Sequence, residues 1–386
     1  MAATVIHKIV NGDGTRYWFR ADTGINAATG KRQRQKMTFK TRKDAEKTLR
    51  ELQTAVASGA HVEKRRDTVA DLLRAWLDAK RHDIKPTSLE GYTRTIEKEI
   101  IPSLGAVLVQ SLKPATLKDF YTRKLTEKRA SGRNGARCVQ LCHLRLSQAL
   151  DDAVNMDLIP RNVCDSVKPP RVVSKEKSVW EPEQTRKFLD VARTSGDGAV
   201  WVVLAATGMR RGEALGLRWA DVAENDNTLR VSQQVNVVGG APYVQKTAKT
   251  DDSARLVPVD TAVIAALKQH RIKQNEKRLQ AGPAWQGNDL VFCTRDGKPL
   301  NPSNVLADFY ALCKKAGLDR INIHGLRHSY ATLAIKRGDD IKAVSEVLGH
   351  RSIDITLRTY HHVGVKEHRA VAATIGAALF GAQGTI

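Results

Sequence analysis

At residues 207–219 the chain reads TGMRRGEALGLRW, in which small residues interrupt an apolar helical pattern just before an arginine. A second arginine lies within HGLRH at residues 324–328, and LGH follows at residues 348–350. Tyr360 lies ten residues after the histidine of LGH. Guanidinium groups form bidentate contacts with phosphate oxygens, imidazoles can donate hydrogen bonds to them, and a tyrosine hydroxyl can serve as a nucleophile. This series of groups predicts a site for phosphoryl transfer in a mostly helical C-terminal domain.

The composition indicates a partner with high negative charge. The 386 residues contain 63 Lys and Arg against 41 Asp and Glu, which gives a formal net charge of +22 and a sequence pI near 9.9. Such an excess is typical of proteins that bind nucleic acid. The length allows two or three domains, since a domain usually has roughly 100–200 residues.

The sequence disfavours membrane, secreted and metal-binding classes. No stretch approaches the roughly 18 apolar residues of a membrane helix, and there is no signal-peptide core, so we expect a cytoplasmic protein without a membrane partner. The 5 cysteines are an odd number in a long chain, which disfavours a secreted disulfide framework. Cys138, Cys142 and His143 lie close together, but no second pair with zinc spacing follows, so we expect buried packing and no metal site.

Residues 1–62 predict a small three-stranded sheet with one helix. The pattern Thr41-x-x-Asp44 is that of a capping box, which predicts the start of the helix. The basic run KRQRQK at residues 31–36 exceeds what solubility demands. A sheet that contacts DNA phosphates and groove edges would explain this run, and a solvated basic face is the alternative. The candidate DNA-binding residues are Lys31, Arg32, Arg34 and Lys36.

Residues 66–168 predict a compact all-helical domain. The pattern Thr68-x-x-Asp71 predicts a capping box before a helix with a buried apolar face. Thr87-x-x-Glu90 is predicted to open a second helix, which Pro102 is predicted to end. Two further amphipathic helices complete this domain.

A linker and a third domain follow. Pro169 and Pro170, together with the charged run after them, predict an extended linker. Residues 178–386 are predicted to be mostly helical, with a β-hairpin insert over residues 228–259, where valines replace helix formers. The predicted fold class is therefore mainly α with small β elements.

The four boxes together resemble those of the tyrosine recombinase, or phage integrase, family. They match its TGxRxxE, HxLRH, LGH and TY patterns in order, in motif detail over residues 178–365. In architecture the whole chain is similar to integrases of phages or integrative elements with an N-terminal arm-binding domain. The resemblance implies an arm-type DNA-binding domain at residues 1–62, a helical SAM-like core-binding domain at residues 66–168, and a catalytic domain at residues 178–386.

The resemblance also assigns roles to residues of the boxes. Arg210 and Arg327 would clamp the scissile phosphate of DNA. His324 and His350 would complete this pocket with hydrogen bonds, and Tyr360 would be the attacking nucleophile. Together with a lysine, these residues form the expected catalytic set.

The catalytic lysine of the family lies on a hairpin before a K-T-x-x-S-x-R-x-x-P pattern. Residues 249–258, KTDDSARLVP, reproduce this spacing. Lys249 is therefore the expected general acid for the 5′-oxygen, with Lys246 as the alternative. Glu213 is expected to brace the site without reacting, and Arg211 is not expected to belong to the clamp.

The family chemistry implies a 3′-phosphotyrosine intermediate that conserves the energy of the phosphodiester bond. No ATP, metal or other cofactor is therefore expected. The implied partners are double-stranded DNA at core and arm attachment sites, and three further copies of the chain in a homotetramer on DNA. A host DNA-bending factor and an excision directionality factor are further partners that the resemblance allows.

The predicted function is site-specific recombination that integrates, and also excises, a phage genome or another mobile element in the host cytoplasm. One alternative is an Xer-like host recombinase that resolves chromosome or plasmid multimers, although such enzymes typically lack the first domain. Another alternative is a type IB topoisomerase-like enzyme. A DNA-binding factor without enzymatic activity would explain the charge but not the four boxes. The attachment-site sequence, the bias between integration and excision, and the kind of mobile element stay open.

Overall fold

The computed structural model describes residues 5–11, 14–25, 32–57, 65–132, 134–172, 178–195, 198–246, 255–349 and 352. For residues 11, 14, 22–25, 32–35 and 52–57 it describes the backbone alone. The chain divides into two compact units, residues 1–173 and 174–386. In the described part of both units, no helix is both long and apolar enough to cross a membrane.

The first unit begins with an antiparallel three-stranded sheet in the order β1-β2-β3. A small core of Phe19, Ala21 and Ala45 joins the sheet to the helix that follows, and the rings of Phe19 and Phe39 stack with centroids 5.5 Å apart. The predicted sheet and helix are confirmed. The elements are β1 (His7–Asn11), β2 (Gly14–Ile25), β3 (Arg32–Phe39) and α1 (Arg42–Ala57).

The helical part of the first unit has its own core. The predicted capping box at Thr68 is confirmed, since the Thr68 side chain accepts the Asp71 N–H and the Asp71 side chain accepts the Thr68 N–H. The largest side chains without exposure in this core include Ile96, Leu117 and Phe120. The helices are α2 (Val69–Lys80), α3 (Pro86–Thr95), a π-helical turn (Ile96–Ile100), α4 (Ile101–Leu104), α5 (Pro114–Ala130) and α6 (Gly135–Asn155).

Two boundary predictions in this part are wrong. Helix α3 begins at Pro86, one residue before Thr87, because proline already has the helical φ and its missing N–H costs nothing in the first turn. Pro102 does not end the helical run, which continues to Leu104. The preceding π-helical turn, in which the Ile101 N–H donates to the Ile96 carbonyl, accommodates the proline and keeps Ile96 and Ile100 buried.

The second unit has a core of packed aromatic and aliphatic side chains around the apolar helix α8. Phe188, Trp201 and Phe309 form the centre, with ring centroids 5.3 to 5.8 Å apart. The helices are α7 (Pro182–Arg193), α8 (Gly198–Thr207), α9 (Arg211–Leu215), α10 (Thr261–Ala281), α11 (Pro302–Lys315), α12 (His324–Lys336) and α13 (Ile341–Leu348).

The predicted strand-rich insert is confirmed, and it forms two antiparallel sheets. One sheet has the order β4-β5-β8, and the other is the hairpin β6-β7. The buried carboxylate of Asp221 holds the first sheet to the chain before it, because it accepts hydrogen bonds from Arg218, Arg230 and Ser232 at 2.7 to 2.9 Å. The strands are β4 (Val222–Ala223), β5 (Thr228–Val231), β6 (Gln233–Val238), β7 (Ala241–Lys246) and β8 (Arg255–Pro258).

Candidate active site

Arg210 lies in the short turn between α8 and α9. Its N–H and its Nη1 donate to the two carboxylate oxygens of Glu213 at 2.9 and 2.8 Å, and its Nη2 donates to the Gly349 carbonyl at 3.1 Å. The Arg210 side chain is nevertheless 44% exposed. Its guanidinium is therefore held in one direction while part of it stays accessible to a ligand.

The turn before Arg210 requires a glycine. Gly208 has a φ of +62°, in the left-handed region that glycine adopts without strain. A Cβ at this position would lie 2.7 Å from Leu348 and 2.9 Å from Tyr330. The glycine of the first box is thus explained by the close packing of this turn against α12 and α13.

Glu213 is the carboxylate at the centre of the site. It is 5% exposed, and besides Arg210 it accepts a hydrogen bond from Arg255 Nη2 at 2.9 Å. Burial alone would raise the pKa of Glu213, but the neighbouring Arg255 and Arg210 outweigh it and lower this pKa below the ordinary value. The carboxylate therefore stays ionised and orients both arginines.

Arg327 is buried at 3% exposure on α12. Its Nη1 donates to the Gly208 carbonyl at 2.8 Å, and its Nη2 donates to the Leu348 carbonyl at 2.7 Å. Arg327 thus connects the first box to the end of α13, where LGH begins. Together, the two predicted clamp arginines bind carbonyls in the turns that precede Arg210 and His350.

His324 is the first residue of α12 and is exposed. Its ring meets that of the buried His328 edge to face, with centroids 4.8 Å apart. The His324 N–H donates to Asn322 Oδ1 at 3.2 Å, which fixes the start of the helix. His324 therefore lies at the surface of the site, as a phosphate-contacting imidazole would require, while His328 lies in the packing beneath it.

A cleft of about 580 Å³ opens beside these groups, with Arg210 and His324 in its lining. Arg211, also in the lining, donates from Nη1 to the Pro302 carbonyl at 2.8 Å. Burial lowers the pKa of Arg211. Cationic and hydrogen-bonding side chains thus form part of the lining, beside apolar ones such as Val235 and Leu306, and the polar part suits an anionic ligand.

Several predicted site residues lie outside the described residues: Lys249, His350, Tyr360 and Lys31. For Arg32 and Arg34 only the backbone in β3 is described. Lys246, the alternative to Lys249, is the exposed last residue of β7. The structure therefore brings together Arg210, Arg327, His324 and Glu213, and the other assignments stay predictions.

Arg255 contacts the site although the predicted set omitted it. A signal for it existed, since Arg255 is the arginine of KTDDSARLVP, six residues after Lys249. Sequence spacing could not show that this arginine reaches Glu213, which is 42 residues away in the chain.

Two protein-family models match the chain. The model described as the phage integrase family matches residues 179–367. A second model, for the phage integrase N-terminal SAM-like domain, matches residues 68–125. Together they match more than half of the chain, in the order that the boxes and the helical domain predict.

The chain belongs to the phage integrase family of tyrosine recombinases. Its class is therefore that of enzymes that cleave and rejoin DNA strands. The predicted family, enzyme class and fold class are confirmed.

Relatives of this recombinase match over nearly its full length. A protein named tyrosine recombinase XerC-like, from Caldanaerobacter subterraneus subsp. tengcongensis, is 28% identical, covering 94% of this chain and 96% of its own. The ICEBs1 integrase of Bacillus subtilis is 26% identical, covering 95% and 98% respectively.

Solved structures share the fold of the recombinase. The Tn1549 transposon integrase in complex with transposon right end DNA has a TM-score of 0.68 at 22% identity, over 80% of this chain and 100% of that chain. A lambda integrase dimer bound to a COC′ core site has a TM-score of 0.58 at 17% identity, over 92% and 94%.

Proposed function

We propose that this recombinase is the integrase of a mobile genetic element, which joins the element to target DNA through a 3′-phosphotyrosine intermediate. The observation that carries the proposal is the joint placement of Arg210 and Arg327 around Gly208, Leu348 and Gly349. Relatives named integrase match over most of this chain, the ICEBs1 integrase over 95% and an integrase of Streptomyces ambofaciens over 90%, and this favours an element integrase over a chromosome-resolving recombinase.

In the proposed first step, the Tyr360 oxygen attacks the scissile phosphorus and the bond from phosphorus to the 5′-oxygen breaks. The tyrosine releases its proton to solvent, and the departing 5′-oxygen gains one from Lys249. Arg210 and Arg327 neutralise the nonbridging oxygens, with hydrogen bonds from His324 and His350. The ionised Glu213 keeps the Arg210 guanidinium in a fixed orientation while the geometry at phosphorus changes during the reaction.

In the second step, a 5′-hydroxyl from the partner duplex attacks the phosphotyrosine. A new phosphodiester forms as the 5′-hydroxyl returns its proton to Lys249, and the Tyr360 oxygen leaves and takes up a proton from solvent. Each bond broken is replaced by one of the same kind, so the reaction requires no nucleotide hydrolysis.

The lysine assignment can be tested with a modified leaving group. Lys249→Ala is expected to slow cleavage of ordinary DNA by about 10²–10⁴, because the 5′-alkoxide leaves poorly without a proton. A substrate with sulfur at the 5′-bridging position should restore the rate, since a thiolate needs no proton. Single-turnover cleavage of both substrates is the measurement.

Lys246→Ala is the matched control for this experiment. It removes the same charge from the end of β7 and is expected to cleave both substrates at the wild-type rate. If the sulfur substrate restored the rate of Lys246→Ala but not that of Lys249→Ala, the general acid would be Lys246.

The N-terminal sheet is proposed to bind arm-type DNA through the face opposite its core. On this face the ring of the half-exposed Trp18 stacks with His7, and Lys36 Nζ lies 4.5 Å from its centroid. Arg20 extends the same face, because it pairs with Lys36 across β2 and β3. His7, Trp18 and Arg20 thus form a Trp-centred basic surface around Lys36, which is one of the four arm contacts that the sequence predicts.

Replacing both Arg20 and Lys36 by Ala is expected to weaken arm-site binding and to spare cleavage at an isolated core site. The slope of log affinity against log salt should become shallower by about 0.9 for each lost phosphate contact. Lys8→Ala is the control, since Lys8 pairs with the core-facing Tyr17 and therefore lies on the other face. Equal losses in the control and the double variant would contradict the proposed surface.

The proposed assembly is a homotetramer on DNA in the host cytoplasm. A lambda integrase tetramer bound to a Holliday junction shares the fold, with a TM-score of 0.55 at 19% identity. Strand exchange between two duplexes involves four cleavage sites, and one protomer at each site accounts for them. A host bending factor and a directionality factor stay predictions.

A further inference from the structure

We propose that Arg255 is a positioning residue for strand cleavage, which holds Glu213, and through it Arg210, against the Gly349 turn. Arg255 is the first residue of β8, directly after the segment that contains Lys249. The inference rests on the proposed strand-transfer function and adds a residue outside the predicted catalytic set.

Arg255 and Arg210 share one carboxylate in a defined way. Glu213 Oε1 accepts from Arg210 Nη1, while Oε2 accepts both the Arg210 N–H and Arg255 Nη2. The Arg255 side chain is 17% exposed and that of Glu213 is 6% exposed. Because Arg255 anchors Oε2 from the β8 side, the carboxylate cannot rotate without breaking that bond, and Oε1 stays directed at Arg210.

Arg255 also fills the space beside Gly349. A Cβ on Gly349 would overlap Arg255 Nη1 and lie 2.9 Å from its Cζ. Gly349 itself has a φ of +66° and accepts the Arg210 Nη2 hydrogen bond through its carbonyl. The guanidinium of Arg255 thus contacts both groups that orient Arg210, the carboxylate and the turn before His350.

Charge supports a role beyond packing. Glu213 already has Arg210 as an ionic partner, so neutralising this carboxylate does not require a second arginine. The Arg255 Nε is also buried with no hydrogen-bond partner among the residues that the structure describes, a cost that an apolar side chain would avoid.

Arg255→Ala is expected to slow single-turnover cleavage of a nicked core-site substrate by about 10- to 100-fold. The reason is that Arg210 would no longer be held in advance in the orientation that binds the phosphate. The DNA concentration at half-saturation should change less than about twofold, because Arg255 is proposed to act after binding. Arg255→Lys keeps a donor for Glu213 and should recover part of the rate. Parallel losses of binding and cleavage would overturn the proposal.

Arg230→Ala is the matched control for loss of an arginine–carboxylate pair in the same sheet. Arg230 donates to Asp221 at 2.9 Å and is the neighbour of Leu256 across β5 and β8. This control is expected to cleave at the wild-type rate. A similar slowing in Arg230→Ala would show that the effect belongs to the sheet and not to Arg255.

A double substitution tests whether Arg255 acts through Glu213. If it does, Arg255→Ala combined with Glu213→Gln should be no slower than Glu213→Gln alone, because the two changes remove one interaction. Rates that multiply would refute the coupling. Should Arg255→Ala fail to fold, Arg255→Lys and Arg255→Gln replace it in the same comparison, and a wild-type rate for Arg255→Gln would overturn the proposal.

The outcome is separable from that of the proposed function. Absence of any covalent DNA adduct with the wild-type chain would reject strand transfer itself. Wild-type adducts that form at an unchanged rate in Arg255→Ala would reject the role of Arg255 alone.

Discussion

Tyr360→Phe is expected to bind core-site DNA with wild-type affinity and to form no covalent protein–DNA adduct. The substitution removes one hydroxyl group, and this oxygen is the atom proposed to bond to phosphorus. Adducts are measured with a nicked core-site substrate on a denaturing gel, and binding is measured by gel shift. Because cleavage starts every strand exchange, recombination between two sites should also be absent.

Tyr330→Phe is the control for loss of a tyrosine hydroxyl in the same unit. Tyr330 is half-buried on α12, where burial raises its pKa, so its hydroxyl is unsuited to attack as a phenolate. This variant should form adducts like the wild type. Adducts with Tyr360→Phe, mapped to another residue, would show that the nucleophile lies elsewhere.

Arg210→Ala and Arg327→Ala are each expected to reduce the cleavage rate by about 10²–10³, the usual loss for one preorganised group that stabilises developing charge. Their effects on folding should differ. Arg327 is 3% exposed and donates to two carbonyls, so its loss should cost roughly 2–4 kcal/mol in the free energy of unfolding. Arg210 is 44% exposed, and its loss should cost about 1 kcal/mol or less.

Single-turnover cleavage and urea unfolding of both variants measure this difference. Arg327→Lys separates charge from geometry, because lysine keeps the charge but cannot donate in parallel to the Gly208 and Leu348 carbonyls. A cleavage rate for Arg210→Ala within tenfold of wild type, with a folded protein, would remove Arg210 from the proposed clamp.

Local patterns predicted much of the fold. The capping box at Thr68 was predictable because its hydrogen bonds join residues three positions apart. The start of α3 and the continuation of the helix through Pro102 were not predictable from such local patterns. At Pro102, burial of Ile96 and Ile100 in the helical core outweighs the usual effect of proline. The π-helical turn accommodates the proline and keeps the two isoleucines buried.

The sequence by itself determined the family, the fold class and the identity of the candidate site residues, because the boxes are short and their order is readable along the chain. Only the tertiary structure decided how the boxes meet. Arg327 contacts a carbonyl 119 residues away, Arg210 one 139 residues away, and Arg255 a carboxylate 42 residues away. Such distant groups meet because the packed core brings β8, α9, α12 and the end of α13 together, a result of packing that spacing along the chain does not contain.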